Sequence, residues 1–340
     1  MTFAARSFSL HSPTTDLVVT SAQYPYIQAV SWNGGFGSMY ANPSFIPSVQ
    51  CDASSFAPSG QFVIAVELTG NVRPYPWLPG FGAVLSAPSP APSGLLVDVE
   101  FSSNGQAVAI AHGNSPYVSV YAWSNSTGFG TKYSDPGTPI PAVAREVTFS
   151  PKGDAIAVAH NNSPFVSVYP WNFSTGFGTK YANPSTLPAG DGYSLQFSRS
   201  GAAIVVGHLN SPYASAYAWS AGFGSKYSDP STAIGSAGLT VEFSPQNNAV
   251  MIGELSAAIS AYQWTDASGF GTKYSAPAGF AGSPVNDIEF SPDGKNVAIG
   301  SNGGLYVYPW SHSSGFGTRF TNPSALTGFF NVRGVSWRPA

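Results

Sequence analysis

Apolar and polar residues alternate along Arg145-Glu-Val-Thr-Phe149, the pattern of a strand that buries one face. Val97 to Phe101, Tyr193 to Phe197, Thr240 to Phe243 and Asn286 to Phe290 read the same way. A Ser-Pro-Lys-Gly153 turn follows, in which Pro presets one backbone angle and Gly accepts a positive φ. The next run, Ala155-Ile-Ala-Val-Ala159, is almost wholly apolar, as expected of a strand covered on both faces. Alternation returns in Phe165-Val-Ser-Val-Tyr169, and the equivalent of Thr131-Lys-Tyr133 supplies a fourth short segment. Pro and Gly, 29 and 37 residues, interrupt the chain too often for a helix of useful length, and no apolar pattern of period 3.6 runs between them.

This four-strand unit recurs. Gly-Phe-Gly starts at Gly35, Gly80, Gly128, Gly176, Gly222, Gly269 and Gly315, in steps of 45 to 48 residues, a period that marks a repeat architecture. Four strands per unit describe a propeller blade, so the chain is predicted to be an all-β, seven-bladed propeller of four-stranded antiparallel blades. It forms one domain over residues 1–340, with repeats starting near 52, 97, 145, 193, 239 and 286. Equivalent rings such as Trp123, Trp171, Trp219 and Trp264 fill the widening space between blades. Thr15 to Ser21 reads as a second strand and Tyr26 to Val30 as a third, so the first unit lacks its initial strand. Gly334-Val-Ser-Trp337 matches the end of such a strand. Residues 332–340 are therefore expected to close the ring by completing the N-terminal blade.

With Phe290-Ser-Pro-Asp-Gly294 and the Val-x-Val-Tyr-x-Trp third strands on view, the whole chain resembles a WD40-type β-propeller. It departs from that family in having no Trp-Asp pair after the third strand and no Gly-His pair before the first. The hydrogen-bonded tetrad of WD40 repeats is therefore not carried over. The Gly-Phe-Gly-Thr-Lys-Tyr ending is similar to repeats in bacteriophage-encoded proteins, which implies a viral subtype.

Charged residues are only 9% of the chain, which leaves Ser, Thr, Asn, Gly and Pro to cover the surface. A net charge of −3 argues against nucleic acid as a partner. Lys132, Lys180, Lys226, Lys273 and Arg319 share one place on the fourth strand, where a cation would block edge-to-edge association. The single cysteine, Cys51, excludes an intramolecular disulfide. Met1-Thr-Phe-Ala-Ala-Arg6 lacks the pattern of a secretory signal, and no apolar stretch is long enough to span a membrane.

Candidate chemistry is sparse. His112, His160 and His208 end the second strand of three successive blades. Glu67, Glu254 or Ser301 stand at about this point elsewhere, which suits polar anchors of the local turn better than metal ligands. Glu100, Glu242 and Glu289 recur before the Phe of the first strand, where other blades carry Ser55, Thr148, Gln196 and Ser336. That variation reads as a polar strand position rather than a catalytic carboxylate, although the central channel could collect several of them. No catalytic residue and no metal site is predicted. The second blade departs from the repeat: Ala83-Val-Leu85 replaces Thr-Lys-Tyr, and Leu78, Phe81, Val84 and Leu85 become candidates for strand addition at a lysine-free edge.

These features point to a non-enzymatic structural or attachment component of a phage particle, in the tail, neck or capsid surface. Its expected partners are other virion structural proteins and a host-surface protein or glycan, with no nucleic acid, no membrane insertion and no cofactor. The alternatives are a cytoplasmic WD40-type adaptor for a peptide or protein, and a lectin-like glycan-binding propeller. A viral, host-attachment role thus follows from resemblance and composition, and the fold from periodicity.

Overall fold

The computed structural model describes residues 15–282, 284–326 and 330–339; Met1 to Arg6 lie outside them. Seven antiparallel sheets stand in a ring, with almost no helix. The Trp171 blade shows the plan: Ala144–Phe149, Ala155–His160, Val166–Asn172 and Gly176–Phe177 follow one another from the centre outward. The apolar second strand is buried at every residue, because sheets pack against both of its faces. In the Trp77 blade the ladder stops at three strands, Cys51–Phe56, Phe62–Glu67 and Val72–Pro76. Its fourth segment is held by the Trp77–Phe81 bridge and by Leu85 N–H donating to the Pro74 carbonyl at 2.8 Å.

Ring closure follows the expected route. Val332–Trp337 pairs antiparallel with Thr15–Ser21, Leu17 opposite Trp337 and Val19 opposite Val335. Trp32 and Trp337 meet edge to face with centroids 5.0 Å apart. The blade is thus stitched from both ends of the chain, so opening the ring would strip a whole strand from its sheet.

Each interface between blades centres on one tryptophan. Trp171 is ringed by Phe149 (5.5 Å) and Phe177 (5.2 Å) of its own blade and by Tyr133 (4.9 Å) of the preceding one, all edge to face. Tyr181–Trp219, Tyr227–Trp264 and Tyr274–Trp310 repeat the contact. Such pairs are worth about 0.5–1.5 kcal/mol each beyond the area they bury. Turns between first and second strands owe their shape to serine: Ser150 Oγ accepts the N–H groups of Asp154 (3.1 Å) and Ala155 (3.0 Å). Gly153 sits at φ +68°, and Asn247 takes the same left-handed place in the one turn that lacks glycine there.

The fourth-strand cations do not project as a charged fence. Lys132 and Lys226 fold back onto Asp135 and Asp229 three residues on, and Arg319 lies over the Tyr306 ring at 4.1 Å. The outer strand itself is short, two residues in the Trp171 blade and at most five in the others.

Candidate functional site

The innermost strands surround a central cavity of about 660 Å³. Their alternation sends every second residue toward the neighbouring innermost strand. That strand has an unpaired edge, and the side chains satisfy it. Asp98 accepts the Val147 N–H (2.9 Å), Glu100 that of Phe149 (3.2 Å), Asp287 that of Val335 (2.8 Å) and Glu289 that of Trp337 (2.7 Å). Gln196 does the same for Phe243 (2.6 Å) and Ser194 for Val241 (2.8 Å). This explains why Ser, Gln and Glu interchange at one place in the repeat: each needs only an acceptor oxygen.

The consequence for the channel is chemical. Asp98, Glu100, Glu146, Glu242, Asp287 and Glu289 all line one cavity. Withdrawal from water disfavours their ionised forms, and repulsion from neighbouring carboxylates adds to it at Glu100, Glu146, Asp287 and Glu289. Asp98 is raised to about 6, Asp287 to about 7 and Glu100 to about 8, while Glu146 and Glu289 rise well above the ordinary carboxylate range. Glu242 rises too, through burial, against the pull of Arg199, whose Nη2 lies 2.7 Å from Glu242 Oε1 and 3.0 Å from the Phe243 carbonyl. Among the described residues no group of three His, Cys, Asp or Glu is arranged to hold a metal ion.

The three histidines lie elsewhere. His112, His160 and His208 are fully buried, each with Nε2 3.0 Å from a serine hydroxyl on the adjoining third strand: Ser119, Ser167 and Ser215. Burial lowers His112 and takes His160 and His208 down to about 4, so all three are neutral at pH 7. Of the second-blade candidates, Leu78 is exposed. Phe81 packs on Trp77 (5.1 Å), Val84 joins the cluster beneath Trp77, and Leu85 packs with Trp123, where other blades place tyrosine or, once, phenylalanine.

Sequence reasoning named Glu100, Glu242 and Glu289 but missed Asp98, Glu146 and Asp287. The signal was present. Asp98 and Asp287 stand two residues before Glu100 and Glu289, and the period of a strand puts such pairs on one face. Convergence on the channel was expected as possible for the Glu series, and the fold brings Asp98, Glu146 and Asp287 into it as well.

No protein-family model matches the chain, and no curated protein sequence does. Solved structures match over the full ring. A periplasmic gluconolactonase of Pseudomonas aeruginosa superposes with a TM-score of 0.73 at 15% identity, covering 96% of this chain and 99% of that one. A putative 6-phosphogluconolactonase of Bacteroides uniformis gives 0.75 at 13% identity, covering 95% and 99%. A functionally unknown protein of Desulfotomaculum acetoxidans gives 0.70 at 12%, covering 94% and 98%. At these identities the likeness shows the seven-bladed fold. It also corrects the expectation of a non-enzymatic phage component: two of these rings bear lactonase names, and none of the three bears a phage or WD40 name. The viral assignment leaned on a Gly-Phe-Gly-Thr-Lys-Tyr ending whose job here is packing, since its Phe and Tyr flank the interblade tryptophans. No helix of the described residues is long and apolar enough to cross a membrane.

Proposed function

We propose that the channel is the active site of a hydrolase that opens a small cyclic ester of the sugar-lactone type. The observation that carries this reading is the Asp98–Glu100 pair: two carboxyls on one strand face, raised to about 6 and about 8, on either side of neutrality. Residues two apart on a strand are separated by roughly 6.5–7 Å, room for a water and a carbonyl carbon between them. Environments that split two carboxyl groups in this way assign one as base and one as acid.

At pH 7 Asp98 is the base. It takes a proton from water as the water oxygen bonds to the lactone carbonyl carbon. Arg199 lines the same cavity and its charge reaches Glu100, so it is the candidate cation for the developing oxyanion. Collapse breaks the bond between the carbonyl carbon and the ring oxygen. Glu100, protonated, gives its proton to that oxygen, and the product is an open-chain hydroxy acid. The backbone N–H groups of Val147 and Phe149 each hold a carboxyl oxygen, which fixes the rotamers. The lactonase names of two rings of the same shape give independent support.

Opening of D-glucono-1,5-lactone, followed by proton release at constant pH, tests the proposal. The chain should accelerate opening above the buffer rate. Asp98→Asn and Glu100→Gln should each lower that rate by about 10²–10⁴-fold without lowering the melting temperature, since each amide oxygen still accepts its backbone N–H. A rate equal to buffer for glucono- and galactono-lactones alike would remove the reading.

A further inference from the structure

All seven innermost strands carry the same irregularity. Two of their residues oppose one on the second strand: Ala144 pairs with His160 and Glu146 with Ala159, which leaves Arg145 unpaired between them. The other six repeat this shift. A β-bulge re-aims the side chain of its extra residue, and here every extra residue lines the central cavity. Two are apolar, Val97 and Leu239; the rest are Asp52, Arg145, Tyr193, Asn286 and Arg333. No residue type dominates this ring, whereas the packing positions around it are nearly uniform. Packing therefore does not set these residues, and they are free to serve a ligand.

The ring is also unfinished electrostatically. The Nε atoms of Arg145 and Arg333 are both buried without a hydrogen-bond acceptor. Arg333 has Asp52 at 3.6 Å, an ion pair too long to be a hydrogen bond. Arg145 forms no ion pair among the described residues; its guanidinium lies over the Tyr193 ring at 4.8 Å. A buried guanidinium donor with no acceptor is costly unless a ligand supplies one.

We propose that the bulge ring is the selecting mouth of the channel and that Arg145 receives an oxyanion group, carboxylate or phosphate, of a polyhydroxylated ligand. The body of that ligand then points toward the hydrogen-bonding carboxyls deeper in the channel. The inference rests on the channel being a ligand site and not on hydrolysis, so binding tests it separately from turnover.

Titration calorimetry on the whole chain with gluconate, sorbitol 6-phosphate and sorbitol separates the terms. One or both anions should bind at least about tenfold tighter than sorbitol, and the tighter of the two identifies the group. Arg145→Gln should remove that preference and leave sorbitol unchanged. Leu239→Arg, which adds a cation at an equivalent bulge, should tighten anion binding several-fold and guards against misfolding of the first variant. Equal affinity for all three compounds, no binding of either anion, or an Arg145→Gln chain that keeps the preference would each overturn the proposal. Anion binding without lactone opening would uphold it while removing the hydrolase reading.

Discussion

The aromatic wedge between blades and the inner wall of the ring are products of one repeat, yet they have diverged to different degrees. In the wedge, Trp recurs in every blade, and the partner from the preceding blade is Tyr, Phe or, once, Leu85. On the inner wall the same repeat places Glu, Ser, Thr and Gln at the position before the Phe, and Asp, Val, Arg, Tyr, Leu and Asn at the bulges, with only Arg used twice. The wedge must fill one shape seven times, and close packing tolerates few side chains there. The wall needs only an acceptor oxygen for its neighbour's edge, and beyond that its composition is free. Repetition therefore reports stability, and departure from repetition reports chemistry.

The largest test of this contrast is Trp171→Ala. It empties a site bounded by Phe149, Phe177, Tyr133 and Phe173. A loss of about 3–5 kcal/mol is expected, seen as a lower denaturant midpoint. Lactone opening by the chain that remains folded should be largely kept, because Trp171 does not itself line the channel and reaches it only through Phe149. A variant that keeps its stability but loses activity would collapse the distinction between wedge and wall.

The pH dependence of stability sharpens it next. Carboxyls whose folded pKa values exceed their unfolded ones hold more protons in the folded chain. Their support is complete below the ordinary carboxylate range and is lost as pH climbs through about 6 for Asp98, about 7 for Asp287 and about 8 for Glu100. His160 and His208 act in the opposite sense, since burial lowers them to about 4. Their support is complete above the ordinary histidine range and fades as pH falls toward that value. Melting temperature should thus peak in mildly acidic solution and fall steadily toward pH 9, with Glu100→Gln flattening the alkaline side. A melting temperature that rises through pH 9 would show that the wall carboxyls are not strained.

How much of this could be read from the chain divides along the same line. Strand order, blade number and the closure by Trp337 follow from local alternation and a fixed period, both of which a sequence displays. For His112, His160 and His208 the expected partner was the local turn, whereas each Nε2 meets a serine of the third strand and Nδ1 of His208 lies 2.8 Å from the Asn210 carbonyl. The site was only half legible. Glu100 was dismissed because Ser and Gln replace it elsewhere. That judged the position by its shared structural duty and set aside the channel, where several of its ionisable members meet. The bulges were invisible for a physical reason: strict alternation assigns Arg145 and Val147 to one face, and only pairing with His160 and Ala159 shows the extra residue. At the expected docking edge, Leu85 lies beside the next blade's Trp123, while Leu78 stays exposed.

That substitution allows the smallest and most discriminating test. Tyr133 reaches across the interface, packs on Trp171 and donates its hydroxyl to the Phe173 carbonyl at 2.7 Å. Leu85 fills the equivalent place with no such bond. Tyr133→Phe keeps the ring and removes only the hydroxyl, so it should cost about 1 kcal/mol, the usual net worth of one hydrogen bond. Tyr133→Leu copies the second blade and should cost more, because the edge-to-face contact goes as well. Denaturant midpoints of the two variants measure the difference. If Leu is tolerated as well as Phe, the interface there is held by bulk alone, and the seven wedges are less alike in energy than in shape.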